Sequence, residues 1–189
     1  MQKGLLLNKK GTKLIWAVPA KNKITVPDSV TSIADNALKA GKATSVYLGK
    51  KVKMIGKDAI AGKKITKVSI AKKNKSIAKQ GQCVYEKKSG KLLIAIAKKN
   101  VVKIGNKVKL ISEDASLCGS RQLKKLDIGA SVKTLQGAWG EFYRAGYVTT
   151  KVYFRSKNPP KLTQNNDKNY CYLPIFRDVN VPKASLKKY

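Results

Sequence analysis

Histidine is absent from the 189 residues, and 10 carboxylates stand against 41 lysines and arginines, giving a formal charge of +31. No side chain here has an ordinary pKa near neutrality, so mechanisms that need an imidazole base or ligand are excluded. An acidic enzyme is excluded with them. Cysteine is scarce too: Cys83, Cys118 and Cys171 form no CxxC pair, which argues against both a disulfide framework and a zinc site. Three core thiols are expected, the alternative being one bridge and one thiol left over. The longest apolar run, Leu92 to Ala97, falls far short of the roughly 20 residues of a membrane helix. Membrane insertion is therefore not expected. Residues 1–8 offer only Leu5, Leu6 and Leu7 before Lys9, which is no secretory signal.

The scarcity extends to catalytic motifs. Gly49-Lys50-Lys51 and Gly62-Lys63-Lys64 lack the frame of a phosphate loop. Cys118 has no histidine to activate it. The expected protein is not an enzyme and carries no cofactor or metal. Arginine is limited to Arg121, Arg144, Arg155 and Arg177, few for the bidentate forks that read base edges. Binding to nucleic acid is expected only as a nonspecific, salt-sensitive attraction.

Hydrophobic residues nevertheless make up 42% of the chain, enough for a packed core, and they recur. Ile24, Val26, Val30, Ile33, Ala37 and Leu38 set a template that returns 22 residues later at Val46, Leu48, Val52, Ile55, Ala59 and Ile60. It starts again at Val68/Ile70, Val102/Ile104 and Leu126/Ile128, and its leading pair alone survives at Val152/Phe154 and Val179/Val181. Seven strands, one per coil, are predicted, with six or seven coils. A shift of 78 brings Leu14-Ile15 onto Leu92-Leu93, Ile24 and Val26 onto Val102 and Ile104, and Ile33 onto Ile111. Residues 5–19 and 83–97 are thus equivalent inserts. Each has two apolar runs around a lysine-rich turn holding Gly11 or Gly90, a β-hairpin pattern.

Within a repeat, the paired apolar residues point inward around one outward residue. Pro27, Gly49, Ala71, Gly105, Gly129 and Pro182 follow the pairs and turn the chain. Asp35, Asp58 and Asp114 stand just before the alanine position, where they are expected to cap a short helical turn.

The phrase Val26-Pro27-Asp28-Ser29-Val30-Thr31-Ser32-Ile33-Ala34-Asp35-Asn36-Ala37-Leu38 closely resembles the repeat of the BspA-like leucine-rich-repeat family of surface proteins. The insert Leu7-Asn8-Lys9-Lys10-Gly11-Thr12-Lys13-Leu14-Ile15 and the ending Val179 to Tyr189 resemble it as well. Leu38, Ile60 and Ser116 replace the family's phenylalanine, and the chain is more basic than is usual there. The resemblance implies a leucine-rich-repeat solenoid of short parallel strands, with short helical or irregular turns and β-hairpin inserts. It also implies an extracellular or cell-surface location and a role in adhesion or binding without catalysis. One solenoid domain is expected over residues 1–189, with an atypical capping part at about 140–189. Because Met1 begins inside a repeat with no polar cap, the chain reads as a fragment of a longer protein.

Solenoids bind along their concave wall. The residues between the inward pairs are Thr25, Tyr47, Ser69, Lys103, Asp127, Tyr153 and Asn180, and those just before are Lys23, Ser45, Lys67, Val101, Lys125, Lys151 and Asp178. Lys23, Tyr47, Lys67, Lys103, Lys125, Lys151 and Tyr153 are the candidate ligand-binding ribbon. Ammonium groups beside aromatic faces suit sulfated or phosphorylated polymers, sugars and acidic protein surfaces. An extracellular protein or an anionic polysaccharide is the expected partner of a monomer. The bland alternative is that the lysines only solvate a sheet. Residues 140–147 and 165–172 break the period and read either as binding loops or as a terminal cap.

Overall fold

The computed structural model describes residues 4–18, 22–38, 42–62, 64–120, 122–137, 151–163 and 178–189. They form a β-solenoid of about five turns. All seven predicted strands are present: β3 (Lys23–Thr25), β5 (Ser45–Leu48), β7 (Lys67–Ile70), β11 (Val101–Ile104), β14 (Lys125–Ile128), β16 (Lys151–Phe154) and β18 (Asp178–Asn180). They fall into two parallel sheets, β3-β5-β7 and β11-β14-β16-β18. The inward residues are in register, Ile24 with Val46 and Val68, and Val102 with Leu126, Val152 and Val179. Ile70 and Phe154 are only half-buried, and Val179 of the last strand is exposed.

A second strand position closes most coils. It is filled by β4 (Ser32–Ile33) and β6 (Met54–Ile55), and later by β12 (Leu110–Ser112), β15 (Thr134–Gln136) and β17 (Lys161–Thr163). Five coils carry both strands among the described residues. The six or seven expected are reduced because the third coil gives its second strand to an insert, and because a 3-10 helix over Lys183–Lys188 follows β18.

The inserts are hairpins. β1 (Leu5–Leu7) pairs antiparallel with β2 (Lys13–Ala17), and β9 (Cys83–Glu86) with β10 (Leu92–Ile96). Their registers match residue for residue: Leu6 faces Trp16 as Val84 faces Ile94, and Leu7 faces Leu14 as Tyr85 faces Leu92. Ile15 and Leu93 are the skipped residues of equivalent bulges. β8 (Ile77–Gln80) adds to β9 and β13 (Ser116–Cys118) to β10. Every residue of β10 is buried. Ile94 and Ile96 join the core of the preceding coils, while Leu92 and Ala95 join that of the following ones. The longest apolar run of the sequence is therefore a partition with two dry faces.

Tight turns hold each coil, with Val30, Val52, Val108 and Val132 donating N–H to the carbonyls of Pro27, Gly49, Gly105 and Gly129. Gly49 is required by crowding, since a Cβ there would sit 2.5 Å from the Pro27 oxygen. The expected helix caps are corrected. Asp35 accepts from the Lys57 N–H at 2.8 Å, one coil further on, and Asp28 accepts from Lys50 in the same way. Asp114 pairs with the Lys91 ammonium at 2.7 Å, and Asp58 is buried at a left-handed φ of 51°. Residues 35–38 and 57–60 make single turns rather than helices. There is no row of orphaned helical N–H groups to cap, whereas the next coil offers an N–H at hydrogen-bond distance.

Cys83 and Cys118 are both fully buried, as expected of core thiols. Cys171, the reading of residues 165–172 and that of residues 140–147 lie outside the described residues.

Candidate ligand-binding surface

Parallel pairing aligns the two outward rows. Lys23, Ser45 and Lys67 are register partners, as are Thr25, Tyr47 and Ser69. In the other sheet the rows are Val101, Lys125, Lys151, Asp178 and Lys103, Asp127, Tyr153, Asn180. The seven candidate residues do face outward, but on two ribbons. Lys23, Tyr47 and Lys67 lie on the first; Lys103, Lys125, Lys151 and Tyr153 lie on the second.

The ribbons differ in charge balance. On the first, the Lys23 ammonium lies 5.9 Å from the centre of the Tyr47 ring. On the second, Tyr153 is flanked by Lys125 at 4.3 Å and the Arg155 guanidinium at 5.2 Å, favourable placements for a cation on a ring face. Arg155 also grips Asp127 with two bonds of 2.7 and 2.8 Å. That grip holds the Asp127 carboxyl below its usual range and raises the Arg155 guanidinium. Lys151 lies 3.5 Å from Asp178. The second ribbon thus neutralises part of its own charge. Arg155 was not among the candidates, although the outward alternation Lys151, Tyr153 extends to it.

Between the ribbons lies a seam. β7 and β11 do not pair, because the tip of the β8–β9 hairpin stands between them. Lys79 donates to the Val68 carbonyl of β7 at 2.8 Å. On the other side, the Gln82 amide donates to the Val101 carbonyl and accepts the Lys103 N–H, both at 2.8 Å. Side chains thereby cover two sheet edges that would otherwise be open. A cavity of about 590 Å³ opens here, lined by Gln80, Gln82, Lys98, Lys99, Val101 and Lys103 with two glycines. Lys99 and Asn100 have φ of 49° and 61°, a two-residue turn that reverses the chain from β10 into β11. Burial, and then the charges of Lys98 and Lys67, push the Lys79 ammonium below its ordinary value. Among the described residues, none of Lys67, Lys79, Lys98, Lys99 and Lys103 has an ion-pair partner. Of these five, the sequence had marked only Lys67 and Lys103.

The family model of the BspA type leucine rich repeat region matches residues 17–139, in 6 copies. The chain belongs to the BspA-type leucine-rich-repeat family. Among solved structures, the chain is similar to a leucine rich cell surface protein from Faecalibacterium prausnitzii A2-165. The identity is 14% and the TM-score 0.38, over 86% of this chain and 54% of that one. The chain thus spans about half the length of that protein. Among curated proteins none matches. The matched residues begin at the end of β2 and stop before β16. Among the described residues no three His, Cys, Asp or Glu side chains gather to hold a metal. No helix among them is long and apolar enough to cross a membrane.

Proposed function

We propose that this BspA-type chain is a non-enzymatic binding module of a cell-surface protein, with an anionic polysaccharide or an acidic protein segment as its ligand. The ligand lies across the seam and extends onto the outward rows of the flanking sheets. One observation carries this reading: among the described residues Lys67, Lys79, Lys98 and Lys99 make no salt bridge, and Lys103 reaches Asp127 only through longer-range attraction, while Arg155 and Lys151 of the second ribbon are bridged. Clustered ammonium groups repel one another, and a polyanion relieves that repulsion while releasing its own counterions. Tyr47 and Tyr153 supply half-buried ring faces on either side, suited to sugar rings as well as to cations.

The overall charge of +31 favours a second reading, in which any polyanion, nucleic acid included, adheres through the general field. An array of glycans and extracellular-matrix proteins, probed at physiological salt, separates the two. Retention of a few sulfated or uronic glycans, or of acidic proteins, supports the module. Preference for duplex DNA over every glycan and protein on the array contradicts it.

A further inference from the structure

The two hairpins match in register but not in surroundings. Leu6, Ile15, Trp16 and Val18 of the first occupy the positions of Val84, Leu93, Ile94 and Ile96 of the second. The first four are 43%, 40%, 38% and 57% exposed; their counterparts are 0%, 8%, 0% and 2% exposed. The opposite faces do not differ, since Leu5, Leu14 and Ala17 are buried just as Cys83, Leu92 and Ala95 are. The open face of the first hairpin carries a tryptophan and three aliphatic residues where polar side chains would suit water.

The second hairpin shows what covers such a face. Val84, Leu93, Ile94 and Ile96 belong to one hydrophobic cluster with Val46, Ile60, Ile65, Val68 and Ile77 of the preceding coils. Cys83, Leu92 and Ala95 belong to the cluster of the following coils. A hairpin of this kind is a wall between two repeat blocks. The first hairpin has a block on one side and solvent on the other, and contiguous exposed apolar surface of this sort marks an interaction site.

We propose that the outer face of the β1–β2 hairpin, formed by Leu6, Ile15, Trp16 and Val18, is a docking surface for a further BspA-type repeat block. The block stacks on it as residues 22–80 stack on the β9–β10 hairpin. This inference concerns assembly and does not depend on the proposed ligand. Shape favours this occupant, because the equivalent wall already accepts an aliphatic coil end. Charge disfavours a free second copy, since two chains of +31 repel, whereas a block on the same polypeptide meets the face at high effective concentration.

The test extends the full chain by joining residues 1–82 directly to Leu5, so that Gln82 leads into the inner hairpin as it leads into Cys83 here. Trp16→Phe in the added block, together with Trp139→Phe, leaves the inner Trp16 as the one tryptophan to report. Its emission is expected to shift to the blue and to lose most of its acrylamide quenching, with one melting transition above that of the original chain. An inner Trp16 as accessible as before overturns the proposal. If the extended chain does not fold, the triple change Leu6→Ser, Ile15→Ser, Trp16→Ser in the original chain decides. An unchanged melting temperature supports an uncovered face. A drop as large as that of Ile94→Ser means the chain already covers it, which overturns the proposal. Sedimentation at rising concentration and pelleting with phosphatidylcholine/phosphatidylserine vesicles test the rivals. A dimer or vesicle binding that is lost in the triple variant names another occupant and likewise overturns this one.

Discussion

The side chain of Gln82 stands where a neighbouring strand would, its Oε1 accepting the Lys103 N–H at 2.8 Å and its Nε2 donating to the Val101 carbonyl at 2.8 Å. Gln82→Ala leaves the Lys103 N–H without its partner and the Val101 carbonyl with only the Lys98 N–H at 2.9 Å. It is expected to cost about 1 kcal/mol and to speed hydrogen exchange at the Lys103 amide. An exchange rate unchanged by the substitution would show that water already serves that edge.

Val68 and Ser69 test the register. Val68 is fully buried between coils, whereas Ser69 is a half-buried member of the outward row. Val68→Asp places an unpaired carboxylate in the core and is expected to destabilise by several kcal/mol, while Ser69→Asp is nearly silent. Thermal melting of the two variants is the measurement, and equal melting temperatures would put the strand in the wrong register.

Gly56 lies against the turn of the previous coil, where an added Cβ would come within 2.7 Å of the Asp35 backbone nitrogen and into its carboxylate. Gly56→Ala is expected to cost about 1–3 kcal/mol by overpacking, because Asp35 must move away from the Lys57 N–H. A denaturant titration that finds wild-type stability would remove Asp35 from the contacts that hold coils together.

Burial pushes the Cys83 thiol up to about 11 from its ordinary 9.0. Its folded-state pKa is raised, so its contribution to stability is complete below pH 9.0 and is lost as pH rises toward about 11. The melting temperature of Cys83→Ala should therefore depend less on pH across that window than that of the parent. In a Cys171→Ser background, neither Cys83 nor Cys118 is expected to react with a thiol reagent at pH 8 before unfolding. Rapid labelling would contradict their burial.

The strands were legible because an inward pair such as Val46/Leu48 repeats at a fixed spacing, and burial enforces that pattern at every coil. The hairpins were legible from the match of Leu14-Ile15 to Leu92-Leu93. The seam was not, because periodicity counts residues along the chain and does not say where an inserted hairpin puts its tip. Gln82 reads as an ordinary turn residue until its bond to Lys103, 21 residues away, is seen. The same holds for Asp35, whose helix-cap spacing hides a partner 22 residues on, and for Asp127 and Arg155, 28 residues apart and joined only by strand register. Lys98 and Lys99 carry no signal in a chain with this much lysine. Only their convergence with Lys103 on one cavity distinguishes them.

The central claim is that position, and not total charge, recruits the ligand. Calorimetric titration of a sulfated oligosaccharide at physiological salt tests it on two triple variants of equal charge change. One carries Lys98→Glu, Lys99→Glu and Lys103→Glu at the seam; the other carries Lys9→Glu, Lys10→Glu and Lys13→Glu on the first hairpin. Charges further than a Debye length of about 8 Å are screened, so the seam variant is expected to lose binding while the hairpin variant keeps most of it. Equal losses in the two would contradict a site at the seam and leave only the general field of the surface.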